Sequence, residues 1–120
     1  MAKTVRVTTD NKIEILDIPW SIDAKEKAIG ADCTETVKTQ IMYDLFKDRI
    51  VMVVDESGMI KDRPVNRLAS WLYGFQNHGY AIYGDVLFAR QDGPNINPVE
   101  NAELLKFFLK DHFSYLEEVQ

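Results

Sequence analysis

Apolar and polar residues alternate through two early segments of the chain, residues 4–9 and 12–18. A period of two is typical of a strand with one buried face. Asp10–Asn11 lies between the two segments and supplies turn chemistry. The pattern therefore predicts an antiparallel hairpin over residues 4–18, which Pro19 ends because proline lacks a backbone donor.

Two later segments, residues 50–54 and 86–89, are apolar at nearly every position. Strands of this kind are typical of the middle of a sheet, where both faces are covered. Residues 34–44 alternate again and predict one more strand. These segments and the hairpin predict a mainly antiparallel sheet of five or six strands.

Helical signals occur in two segments of the first three quarters of the chain. Residues 22–29 follow Ser21, a capping residue, and precede Gly30, which favours a helix end. Residues 65–73 carry apolar side chains at i, i+3, i+4 and i+7, and they end at Gly74. Both segments therefore predict short amphipathic helices.

The last helix is predicted to begin within residues 97–100, where asparagine, proline and glutamate occur in the order of a helix start. We expect this helix to bury one face on the sheet, formed by Leu105, Phe108, Leu109 and Leu116. Phe107 and Phe113 lie off that face. The predicted fold is a single α+β domain over residues 1–120, with three helices and the long C-terminal helix packed on one face of the sheet.

Composition and charge exclude several classes of protein. Apolar residues make up 46% and charged residues 28% of the chain, which is typical of a globular domain. The net charge of −5 includes no basic cluster, which argues against direct binding of nucleic acid and would suit a basic partner surface. Cys33 is the only cysteine, and no signal peptide or membrane segment is visible. We therefore expect a cytoplasmic location without membrane contact.

The sequence contains no recognisable catalytic set. The two histidines are far apart, and Cys33 lacks a second cysteine at metal-binding spacing, so we expect no metal and no cofactor. A non-enzyme is the favoured interpretation. An enzyme stays open as a third hypothesis, and it would require a cleft that brings His78 to Asp85 or Asp55.

Aromatic residues are concentrated around the end of the second predicted helix: Trp71, Tyr73, Phe75, Tyr80 and Tyr83. Some of them must fill the core, but Trp and Tyr at a loop edge are also typical of a recognition surface. Side chains that point into solvent around an open groove would favour recognition. Burial of all five would leave the site unlocated.

Several residues between 52 and 88 have structural explanations at the sequence level. Gly58 is expected to supply a positive φ at a turn, and Asn66 to cap the helix that follows. Gly84 is interpreted as a turn residue, and Asp85 as an acceptor of backbone N–H bonds.

The same block resembles a family of domains of unknown function, whose members are short proteins of bacteriophages and other bacterial mobile elements. The resemblance depends on four motifs in order: Glu56-Ser57-Gly58, Pro64-Val65-Asn66, Ala69-Ser70 with Leu72-Tyr73-Gly74, and Gly84-Asp85-Val86. They cover about a third of the chain and leave out the hairpin and the C-terminal helix. The resemblance implies a mobile-element context but no activity.

The leading hypothesis is a non-catalytic accessory protein that binds and blocks a host protein, for example in a defence system. The alternative is a small-ligand or nucleotide sponge, with a site between the helix over residues 65–73 and the Gly84–Asp85 turn. The sequence also permits a homodimer through a sheet edge or the C-terminal helix. The candidate binding residues are Asn66, Trp71, Tyr73, His78, Tyr80, Tyr83 and Asp85.

Overall fold

A seven-stranded sheet and five helices make up the computed structural model, which describes residues 1–119. The strands are β1 (Ala2–Val7), β2 (Lys12–Ile18), β3 (Thr34–Val37), β4 (Ile50–Asp55), β5 (Val86–Asp92), β6 (Asn95–Asn97) and β7 (Glu117–Glu118). The helices are α1 (Ile22–Ile29), α2 (Gln40–Phe46), α3 (Arg67–Tyr73), α4 (Phe75–His78) and α5 (Ala102–His112). The α+β class is confirmed, but the sheet has more strands and the domain more helices than predicted.

The strand order is β3-β4-β5-β1-β2-β7, and β6 also pairs with β5. The predicted hairpin is confirmed, because β1 and β2 pair antiparallel with Val5 opposite Ile15 and Val7 opposite Ile13. The other strand pairs are antiparallel as well, except for β2 with β7. The additional strands are the short β6 and β7, whose two or three residues are too few to show a period in the sequence.

Both faces of the sheet are covered, as the apolar character of β4 and β5 predicts. On one face, Val53 and Leu87 pack with Ile29 of α1. On the other face, Val54 and Phe88 belong to the main core, which α2, α3 and α5 complete. Neighbouring residues such as Val53 and Val54 thus point to opposite faces, and both are buried.

The strand predicted over residues 34–44 is wrong beyond Val37, because the chain enters α2 three residues later. Thr39 caps this helix: its hydroxyl oxygen accepts a hydrogen bond from the Met42 amide at 3.2 Å. Met42 is buried, and Phe46, one turn later, packs against the core. Spacing of three and four residues therefore decides the structure here, although the segment also contains a run of alternation.

The start predicted for the C-terminal helix is also wrong. Asn97 belongs to β6, and Asn101 is the cap of α5, accepting a hydrogen bond from the Leu104 amide at 3.1 Å. The packing of the helix is largely as predicted, since Leu105 and Leu109 are buried against the sheet. Phe113, predicted to lie off this face, is buried just beyond the end of the helix.

Phe108 is only partly buried, and Leu116 is buried beyond the helix rather than on it. Within residues 1–119, no helix combines the length and the apolar character needed to cross a membrane.

Candidate functional site

Asn66, a predicted cap and candidate binding residue, is completely buried. Its side-chain oxygen accepts from the Ala69 amide at 3.0 Å, as the cap of α3. Its side-chain nitrogen donates to the carbonyls of Val7 and Gly84, at 3.1 and 3.0 Å. One side chain therefore joins α3, β1 and the turn before β5, and no part of it is available to a ligand.

Asp55, at the end of β4, has a fully buried carboxylate. Lys61 and Arg63 lie 2.8 and 3.2 Å from the carboxylate, and the Ser57 amide donates to it at 2.9 Å. Burial raises the pKa of Asp55, but the hydrogen bonds from Lys61, Ser57 and Arg63 outweigh it, so the pKa lies below its ordinary value. Arg63 also donates to the carbonyl of Ile29, which ties α1 to the same point.

Two glycines let these segments approach closely. A Cβ on Gly58 would lie 2.6 Å from the carbonyl oxygen of Tyr83. Gly58 does not have the predicted positive φ, so what requires glycine there is this approach of two backbone segments. Gly84 does have a positive φ, of 93°, and a Cβ there would lie 3.1 Å from the Arg63 side chain. We name Asp55, Gly58, Arg63, Asn66 and Gly84 the interlocked block.

Two other candidate residues, Asp85 and His78, also use their side chains for contacts within the fold. The carboxylate of Asp85 accepts from the Thr9 amide at 3.1 Å, which confirms its predicted role as a backbone acceptor. The two ring nitrogens of His78 lie 3.1 Å from the Tyr73 carbonyl and 3.0 Å from the Tyr80 amide. His78 and Asp85 are thus engaged in separate places. The structure does not bring them together.

An open groove lies between α3 and the chain that follows α5. Its volume is about 740 Å³. We name it the aromatic groove, and its lining residues are Val65, Arg67, Ser70, Trp71, Phe75, Gln76, Gly79, Ala81, Tyr83, His112, Phe113 and Tyr115. Of the seven candidate residues, Trp71 and Tyr83 line it.

Large aromatic side chains project into solvent around this groove. Trp71 is 42% exposed, Phe75 49% and the neighbouring Tyr80 70%. Tyr73 and Tyr83 are partly buried, and Tyr73 packs against the main core. Exposed rings around an open groove are the arrangement that favours recognition over core packing.

The opposite wall of the groove comes from the chain after α5. The rings of Trp71 and Phe113 meet edge to face with 5.4 Å between their centres. The guanidinium of Arg67 lies over the ring of Tyr115, 3.8 Å from its centre. Burial raises the pKa of the Tyr115 phenol, while the charge of Arg67 acts in the opposite direction. Tyr115 is thus part of the wall rather than a free surface side chain.

The described chain, residues 1–119, contains no group of three or more His, Cys, Asp or Glu side chains placed to hold a metal ion. His112, the histidine of the groove, stacks on Phe108 with 4.3 Å between ring centres. Arg67, Phe113 and Tyr115 are groove residues that the sequence analysis did not select. The chain after α5 is distant from α3 in sequence, and only its aromatic content could have suggested it.

Comparison with protein families gives one match. Residues 2–110 match the model of a family described as Domain of unknown function (DUF3846), and the chain belongs to this family. The match includes the hairpin and most of α5, which lay outside the motifs of the resemblance. Comparisons with curated proteins and with solved structures gave no match.

Proposed function

We propose that this chain is a non-catalytic accessory protein of a phage or other mobile element, which binds a host protein through the aromatic groove and blocks it. A component of a defence system in the cytoplasm is the kind of target that fits this role. The exposure of Trp71 and Phe75, which line an open groove, is the observation that carries the proposal. The mobile-element context comes from the sequence resemblance alone.

The exposed aromatic residues are unusual because α3 is otherwise well packed. Leu68 and Leu72, on its other face, are completely buried. Burial of apolar surface stabilises a protein by roughly 25 cal/mol per Å², so large rings left in water are a cost that binding can recover. Trp and Tyr are also the residues that most often dominate the binding energy of protein interfaces.

The polar candidate residues Asn66, His78 and Asp85 support a binding role for the protein rather than a catalytic one. Asn66 and Asp85 have hydrogen-bond partners within the fold, and so has His78. Histidine and carboxylate are the usual pair for general acid–base chemistry, and such a pair needs to lie within about 3 Å. None of the ion pairs within residues 1–119 includes a histidine.

The proposal is tested by capture of host proteins with matched variants. Wild-type chain, Trp71→Ala and Phe107→Ala are immobilised and exposed to lysates of several bacterial hosts, and the captured proteins are identified by mass spectrometry. Phe107 is a suitable control because it is 69% exposed on α5 and does not line the groove. Affinity for the captured protein is then measured with purified components.

Trp71→Ala should weaken binding about thirtyfold, which corresponds to a hot-spot loss of about 2 kcal/mol. Phe107→Ala should bind like the wild type, and the captured protein should lose its own activity when the wild-type chain is added. Capture that is insensitive to Trp71→Ala, or no capture from any host, would argue against the proposal.

A second function is favoured by the size of the groove. About 740 Å³ is in the range of small-molecule sites, roughly 300–1,000 Å³. A nucleotide would occupy the groove rather than the predicted place beside Gly84–Asp85, where Asn66 already bonds the Gly84 carbonyl. A bound nucleotide at a hundred times its Kd would stabilise the fold by about 2.7 kcal/mol, so a thermal-shift screen separates the two functions.

A further inference from the structure

The side chains that line the aromatic groove carry positive charge but no negative charge. Arg67 is the one Arg or Lys among the lining residues, and none of them is Asp or Glu. The whole chain, by contrast, has a net charge of −5. A positive charge without an acidic neighbour in the lining of a groove favours an anionic group on the molecule that binds there.

Arg67 also differs from every other arginine of the described chain in its partners. Arg6, Arg49, Arg63 and Arg90 each form an ion pair with an Asp or Glu side chain. No carboxylate within residues 1–119 pairs with Arg67, whose guanidinium lies over the ring of Tyr115 instead. Stacking uses the face of a guanidinium, and the N–H groups at its edge remain able to donate.

One polar side chain of the lining, that of Ser70, is already engaged. The hydroxyl oxygen of Ser70 accepts from the Ile82 amide at 2.9 Å, and the hydroxyl lies 3.3 Å from the Ile82 carbonyl. Among the lining residues, Arg67 is the one Arg or Lys, and Gln76, Tyr83, His112 and Tyr115 add further polar side chains. A single guanidinium in a largely apolar lining suits one carboxylate, whereas sites for phosphate groups usually combine several cations or backbone donors.

We infer that the groove takes an acidic amphipathic segment of the partner protein, with apolar side chains against Trp71 and Phe113 and one carboxylate bonded to Arg67. This inference rests on the proposed function and names the chemistry of its partner. The two oxygens of a carboxylate match the planar edge of a guanidinium, which gives the contact both strength and a fixed orientation. The apolar contacts supply the remaining affinity.

A library of short random peptides, selected on the full chain, tests the inference without knowledge of the partner. The enriched peptides should contain Asp or Glu flanked by apolar residues. One of them is synthesised with its acid and with the corresponding amide, and both forms are titrated into wild type, Arg67→Gln and Trp71→Ala. Arg67 is exposed, so its variant should fold, and its melting temperature is the check.

The acidic peptide should bind the wild type about tenfold more tightly than it binds Arg67→Gln. The amide form should bind these two proteins equally, because the carboxylate and Arg67 form one interaction. Trp71→Ala should weaken both peptides.

Other results separate the inference from the proposed function. Peptides that need Trp71 but contain no acid, or that ignore Arg67→Gln, would overturn the inference and leave the proposed function in place. If no selected peptide depends on Trp71, the groove is not a protein-binding site and both are wrong. A wild-type dimer in sedimentation that Trp71→Ala dissociates would show that the occupant is a second copy of this chain, which overturns the inference.

Discussion

The interlocked block and the aromatic groove both depend on α3, but they use their side chains in opposite ways. In the block, Asn66 and Asp55 are polar and buried, and each makes several hydrogen bonds within the fold. In the groove, Trp71 and Phe75 are apolar and about half exposed. Polar residues that look functional in the sequence therefore hold the scaffold together. Residues that look like core material form the candidate binding surface.

The difference teaches that the polarity of a residue does not by itself indicate a site. A buried amide or carboxylate is costly unless its bonds are satisfied, and in the block they are satisfied. An exposed tryptophan or phenylalanine is costly as well, and in the groove nothing within the described chain covers it fully. The cost that the fold leaves uncompensated is therefore the exposure of aromatic side chains in the groove. Three predictions below test this contrast, beginning with the largest expected effect.

Asn66→Ala should destabilise the fold by about 3 kcal/mol. The variant loses the cap of α3 and leaves two buried carbonyls without this donor. Asn101→Ala is the matched control, since Asn101 also caps a helix but is exposed, and its loss should cost only about 1 kcal/mol. Urea unfolding of both variants measures the difference. Equal costs for the two variants would show that the buried hydrogen bonds of Asn66 add no stability beyond its cap of α3.

Asp55→Asn should cost about 2 kcal/mol at neutral pH, because Lys61 and Arg63 lose their shared carboxylate. The pKa of Asp55 is lowered in the folded protein, so its contribution is present above an unfolded pKa of about 4 and is lost as pH falls through the folded pKa. The difference in unfolding free energy between wild type and variant should shrink below that pH.

Urea titrations over a series of pH values measure this dependence. Glu117→Gln is the control, because the pKa of Glu117 is also lowered, by its contact with Lys12, but the pair is exposed. Its removal should change stability little at any pH. A constant gap between Asp55→Asn and wild type across the acid range would contradict the assigned role of Asp55.

Trp71→Ala should have the smallest effect on stability, about 1 kcal/mol or less, because the ring is partly exposed and meets Phe113 at the surface of a groove rather than within the core. Thermal unfolding of wild type and variant measures this. A loss comparable with that of Asn66→Ala would show that the tryptophan belongs to the core, and the contrast between block and groove would fail. If the melting temperature of Trp71→Ala is close to that of the wild type, its loss of binding can be assigned to the groove rather than to unfolding.

Sequence patterns determined much of the sheet and the helices that carry strong end signals. The alternation of β1 and β2, the apolar runs of β4 and β5, and the caps of α1 and α3 follow from local chemistry, and each is confirmed. Local signals competed in two places. Residues 40–46 combine alternation with helical spacing, and two asparagines offer a cap for α5. Packing against the core decided the first, and nothing in the local sequence alone selects Asn101 over Asn97.

The sequence indicated only part of the candidate site. Trp71 and Tyr83 belong to the groove as the aromatic cluster suggested, whereas Asn66 and Tyr73 do not line it. The sequence could not indicate that the chain after α5 forms the second wall, since the fold alone brings Phe113 and Tyr115 against Trp71 and Arg67 of α3.

The distribution of charge over the surface is another property that the sequence alone did not indicate. The net charge of −5 was read from composition and suggested a basic partner surface. Within residues 1–119, folding places no acidic side chain in the lining of the groove and no carboxylate beside Arg67. Composition is a sum over the whole chain, and a binding surface depends on which few residues the fold brings side by side. The sequence thus determined the scaffold, and the tertiary structure alone decided the chemistry of the surface.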